Sequence, residues 1–93
     1  MNYGCKLSKI DLSNFKTDNV TLINHMFYGC SNLTDINLKS FKTQKVTNMN
    51  SLFYNCSLLS KIDLSNFKTD NVTDISNMFK GCSKLTDFNL KSF

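Results

Sequence analysis

Leu7, Leu33, Leu59 and Leu85 stand 26 residues apart, and most apolar residues of this chain recur at the same interval. The columns are Ile10, Ile36, Ile62 and Phe88; Leu12, Leu38, Leu64 and Leu90; and Phe15, Phe41, Phe67 and Phe93. Val20, Val46 and Val72 continue them, as do Phe27, Phe53 and Phe79. The cysteines Cys5, Cys30, Cys56 and Cys82 follow at 25, 26 and 26, one residue being absent between Cys5 and Leu7 relative to later copies. A unit this short cannot bury its own apolar face, so neighbouring units must share one interior. With 93 residues the chain has room for one domain. We divide that domain, residues 1–93, into a partial unit 1–6, full repeats 7–32, 33–58 and 59–84, and a partial unit 85–93, about three and a half repeats.

Within a unit, Leu7-x-x-Ile10-x-Leu12 alternates apolar and polar residues, the pattern of a half-buried strand. After a corner, Val20, Ile23, Met26, Phe27 and Cys30 fall at steps of 3, 3, 1 and 3, which suits one face of a helix. Thr17, Asp18 or Asn19 supplies a cap at its start, and Gly29, Asn55 and Gly81 tolerate a left-handed conformation at its end. The expectation is an α/β repeat solenoid: a right-handed, leucine-rich-repeat-like coil with one parallel strand and one short helix per 26-residue repeat.

A second period of 52 overlies the first. LSKIDLSNFKTDNVT occupies residues 7–21 and recurs unchanged at 59–73, and LTD-x-NLKSF occupies 33–41 and 85–93. Stacked units would place identical charges side by side, which is destabilising. The alternation avoids this, giving Lys9, Asp35, Lys61, Asp87 in one row and Asp11, Asn37, Asp63, Asn89 in the next. Ser13, Lys39, Ser65 and Lys91 follow. Only Lys16, Lys42 and Lys68 keep one sign.

The composition removes most chemistries. All eleven basic residues are Lys, all seven acidic residues are Asp, and His25 is the lone histidine. No CxxC pair occurs, so a zinc set lacks its ligands. No Ser–His–Asp or Cys–His arrangement is supported, and neither a catalytic residue, a cofactor nor a metal is expected. Without Arg there is no bidentate phosphate or guanine contact, so nucleic acid is not expected as a partner. No apolar run is long enough to insert in a membrane.

The motif L-x-x-I-D-L-S-N-F-x-T-x-x-V-T-x-x-x-x-M-F-x-x-C is carried by Leu7, Ile10, Asp11, Leu12, Ser13, Asn14, Phe15, Thr17, Val20, Thr21, Met26, Phe27 and Cys30. It resembles the BspA-type leucine-rich repeat, the 26-residue repeat of bacterial surface lipoproteins, over essentially the whole chain. The resemblance implies a leucine-rich-repeat solenoid and a surface role in adhesion or host-protein binding, with no catalytic residues to transfer. Neither a leader nor a lipid-attachment motif is expected within this segment. An extracellular or cell-surface location is therefore expected as part of a longer chain.

The candidate binding surface is the concave sheet face: Lys9, Asp11, Asp35, Asn37, Lys39, Lys61, Asp63, Asp87, Asn89 and Lys91. The bland alternative is a solvated charge ladder. Lys16, Lys42 and Lys68 form a candidate basic ridge for an acidic surface or glycan, or else a solvated edge. Cys30, Cys56 and Cys82 read as small buried hydrophobes, with cross-coil disulfides the alternative; Tyr3, Tyr28 and Tyr54 read as a core edge or else a partly exposed contact stripe, and His25 as an exposed helix residue. The functional expectation is a non-catalytic protein-binding or adhesion module whose partner is a protein or glycan. The alternative is a structural element that self-associates end to end into dimers or fibres.

Overall fold

The Ile column supplies the strands. A branched side chain between two polar neighbours suits a pleated surface with one dry face. In the computed structural model, which describes residues 5–90 and 93, these stretches form β1 (Lys9–Ile10), β2 (Asp35–Ile36), β3 (Lys61–Asp63) and β4 (Asp87–Asn89). β1 pairs with β2 and β3 with β4, both in parallel, making two separate two-stranded sheets. The register is the 26-residue one: Lys9 lies opposite Asp35, Ile10 opposite Ile36, Lys61 opposite Asp87, Ile62 opposite Phe88 and Asp63 opposite Asn89.

The expected solenoid coil with a helix in each repeat is not what the chain forms. Among the described residues there is no helix, and the four strands are two or three residues long in two sheets rather than one. The molecule is close to equiaxial, 29 × 25 × 22 Å with a radius of gyration of 12.1 Å.

The physical reason lies in where the amides point. Ile23, His25, Phe27 and Gly29 donate their N–H groups to the carbonyls of Asn48, Asn50, Leu52 and Tyr54, at 3.1, 2.9, 3.0 and 2.7 Å. Met49, Ser51, Phe53 and Asn55 do the same toward Asp74, Ser76, Met78 and Lys80. The intervening residues close turns instead: Met26, Tyr28 and Cys30 donate three residues back to Ile23, His25 and Phe27. Half the amides of each segment are thus committed to the neighbouring unit. Backbone φ is positive at His25 and Gly29, at Ser51 and Asn55, and at Asn77 and Gly81. A left-handed residue every fourth position forbids a helix and is what a type II turn requires at its third residue. Asn, Ser and Thr dominate the polar positions here, and they favour turns over helix. Gly29, Asn55 and Gly81 are left-handed, but in a chain of turns rather than at a helix end. His25 is a half-buried turn residue at φ 64°, not an exposed helix residue.

The core is a set of aligned columns. Leu33, Leu59, Leu38, Leu64, Phe41, Phe67, Met49, Leu52, Phe53, Cys30 and Cys56 are essentially inaccessible. Phe27, Phe53 and Phe79 stack with centroids 5.5 and 5.7 Å apart, and Phe41 stacks on Phe67 at 6.3 Å with an interplanar angle of 1°.

Candidate binding face and basic ridge

Every candidate face residue within the described part is exposed: Lys9, Asp11, Asp35, Asn37, Lys39, Lys61, Asp63, Asp87 and Asn89. Lys91 lies outside the described residues. Strand pairing sets Lys9 beside Asp35 and Lys61 beside Asp87, so the charges alternate within each sheet. Asp35, Lys61, Asp63, Asp87 and Asn89 rim an open hollow of about 360 Å³ whose floor is Ile36 and Ile62. Asp11, Asn37 and Lys39 line a second of about 170 Å³.

The row Asp11, Asn37, Asp63 has a structural task that the spacing alone does not reveal. Each Oδ1 accepts the backbone N–H two residues on, from Ser13, Lys39 and Ser65 at 3.0, 3.0 and 2.9 Å. This turn needs a short side chain with an acceptor oxygen, and an amide serves as well as a carboxylate. The Ser13 amide holds the Asp11 carboxyl below the usual carboxylate range, with its hydroxyl helping.

Lys16, Lys42 and Lys68 are exposed. The register of Lys42 and Lys68 is fixed from beneath by the buried Thr17 and Thr43. The Thr17 hydroxyl accepts the Lys42 N–H at 2.7 Å and donates to the Lys42 carbonyl at 3.1 Å. Thr43 repeats this with Lys68 at 2.7 and 3.0 Å. One side chain thereby replaces a backbone partner across the unit boundary. The structure also joins the two candidate surfaces. Lys39 of the face meets Lys42 and Lys68 of the ridge around one hollow of about 360 Å³, lined further by Asp18, Phe41, Thr43, Gln44 and Asn66. Lys16 is not part of it.

Sequence reasoning passed over a polar row on another side. Leu22, Asn48 and Asp74 make parallel bridges at the unit interval. Asn50 donates through Nδ2 to Ser76 Oγ at 2.6 Å and Asp74 Oδ2 at 3.3 Å. Hydrogen bonds from the Ser76 hydroxyl and amide, then from Asn50, hold the Asp74 carboxyl below its usual range. Its signal was available, because Asn48 and Asp74 share one repeat position.

The four cysteines are free thiols. Cys56 donates its S–H to the Phe27 carbonyl at 3.2 Å and Cys82 to the Phe53 carbonyl at 3.1 Å. Burial pushes the Cys56 thiol up to about 12 and raises Cys30 and Cys82 as well. These groups are protonated at neutral pH; Cys30 and Cys56 are buried, as expected, whereas Cys82 is only partly buried. Tyr28 and Tyr54 stack at 4.7 Å, while Tyr3 lies outside the described residues. Among the described residues, no group of three or more His, Cys, Asp or Glu side chains is placed to hold a metal ion. None of them forms a helix long and apolar enough to cross a membrane.

Parallel register at a 26-residue interval, polar side chains stitching one unit to the next and an ordered exposed charge pattern define a tandem-repeat protein. The chain belongs to the family described as "Mycoplasma protein of unknown function, DUF285", which matches residues 1–93. Neither a curated protein nor a solved structure matches it.

Proposed function

We propose that this segment is a non-catalytic protein-binding or adhesion module, a single domain of a longer extracellular or cell-surface protein. It engages a protein or glycan through the exposed side chains of β1 to β4. The observation that carries this reading is the paired register, which gathers Asp35, Lys61, Asp63 and Asp87 around an open hollow of about 360 Å³. Ordered charge of this kind favours specificity and encounter rate over raw affinity. The resemblance of the repeat to BspA-type surface proteins supports the same role. An array of matrix proteins, plasma proteins and glycans tests it. At least one partner should bind, and Lys61→Gln with Asp87→Asn should weaken that binding. A chain that binds nothing on the array, or whose partner ignores both substitutions, defeats this reading.

A second reading has its own observation. The apolar columns are closed in the middle of the molecule and open at its ends. Leu7 and Phe15 are 58% and 49% exposed, and Ile75, Phe88 and Phe93 are 50%, 53% and 41% exposed. Head-to-tail association of two copies would cover both sets and bring Lys9 of one chain to Asp87 of the next. Sedimentation velocity should then show a mass that rises with concentration. A constant monomer removes this reading.

A further inference from the structure

Three ammonium groups, Lys39, Lys42 and Lys68, border one open hollow in which Asp18 is the sole carboxylate. We propose that this hollow is a binding site for a polyanionic glycan, a saccharide chain bearing sulfate or carboxylate groups. The inference rests on the reading of the segment as a binding module, and it names the ligand class for one part of that surface.

The charge pattern is the first support. Every other charged row alternates in sign or is diluted by neutral residues, whereas Lys16, Lys42 and Lys68 repeat one sign. The Thr17 and Thr43 hydroxyls lock the backbones of Lys42 and Lys68 into the register of the preceding unit. The preceding residues Phe41 and Phe67 stack at 6.3 Å, so Lys42 and Lys68 are neighbours in successive units, and like charges so placed repel. A bound polyanion relieves that repulsion.

The second support is the state of the other donors. The Thr43 hydroxyl donates to the Lys68 carbonyl, and Gln44 Nε2 to the Asp18 carbonyl at 3.4 Å. Asn66 Nδ2 donates to the carbonyls of Leu38, Lys39 and Phe41. Beside the second N–H of Gln44 Nε2, the lysine ammoniums are the hollow's outward donors and its only charged ones. A neutral saccharide gains little there, and a charged one gains most.

The third support separates a glycan from other polyanions. Phe41 is only 2% exposed, so the hollow offers no apolar socket of the kind that anchors a peptide side chain. It presents no open aromatic ring for base stacking and contains no Arg, which disfavours nucleic acid. Lys supplies mobile point charges that adapt to irregularly spaced acid groups.

The 93-residue chain is to be titrated against heparin as the sulfated probe and hyaluronate as the carboxylate probe. The expected result is salt-sensitive binding to at least one of them. Lys42→Gln with Lys68→Gln should weaken it about tenfold, the combined effect of two exposed ion pairs, while the melting temperature holds. Lys42→Arg with Lys68→Arg should retain it. Lys6→Gln with Lys84→Gln removes the same net charge at exposed positions outside both the hollow and the strand face and should leave it nearly unchanged. The proposal is overturned if neither probe binds at low salt, or if the two Gln pairs lose affinity equally. It is also overturned if polyglutamate or an oligothymidylate binds as tightly. A chain that fails these tests yet holds an array partner through Lys61 and Asp87 loses only the hollow. One that binds heparin through Lys42 and Lys68 and nothing at the strand face loses only the face reading.

Discussion

Thr43 illustrates how much one hydroxyl does in this chain. It is 1% exposed and both accepts from and donates to the backbone of Lys68. Thr43→Val keeps the shape but leaves the part-buried N–H and C=O of Lys68 without that partner, so it should lower stability by about 1 kcal/mol in urea denaturation. Thr43→Ser should recover most of that. The recurrence of Thr17, Thr43 and Thr69 was plain in the sequence, as was its assignment to a corner. That the hydroxyl serves the next unit rather than its own was not, because a spacing pattern records the position of a donor without its partner. The Asp11, Asn37, Asp63 row was legible in the same partial way. Its alternation between acid and amide was visible, while the turn that accepts either was not. Cys56 gives a pH prediction. Its folded pKa of about 12 lies above the ordinary thiol value of about 8.5. The fold then holds the proton where the unfolded chain has released it, so this contribution is complete below the ordinary value. It is lost as pH rises through that interval. Urea midpoints should fall across it, and less steeply in Cys56→Ala.

Among the elements, the half-unit of turns departs furthest from what its sequence suggested. Apolar residues at steps of three and four mark a helical face, but a chain of three-residue-back turns produces the same spacing. Met26, Tyr28 and Cys30 make such turns while their neighbours bond outward. Periodicity cannot distinguish the two. The absence of Ala and Glu, strong helix formers, was the available hint. Strands were easier to read, because the Ile column alternates with polar residues and register follows from the repeat. Their division into two sheets was not readable, since it depends on which backbones come close enough to bond. Gly81 tests the turn geometry. Its φ is +84°, and a Cβ there would strike the Asn55 side chain and lie 3.1 Å from its Cα. Gly81→Ala should cost about 1–2 kcal/mol from backbone strain alone, read as a lowered denaturation midpoint.

At the scale of the whole molecule, exposure depends on which unit a residue occupies more than on its chemistry. The Phe column runs 49%, 2%, 1% and 41% exposed from Phe15 through Phe41 and Phe67 to Phe93. Phe41→Ala should therefore lower stability by about 3–5 kcal/mol, and Phe15→Ala by well under half as much. Equal losses measured by chemical denaturation would contradict the shared interior. The same gradient governs the candidate surfaces. The central units hold Asp35, Lys61, Lys42 and Lys68 on a packed support, whereas Lys9 and Asp87 sit nearer the open ends.

The Tyr28–Tyr54 pair has a spectroscopic consequence. The two phenol rings belong to successive units, face each other at 4.7 Å and are parallel to within 2°. With no tryptophan in the chain to mask them, their coupled transitions should give a near-ultraviolet dichroism that a lone tyrosine lacks. That signal reports directly on contact between consecutive units, without any added label.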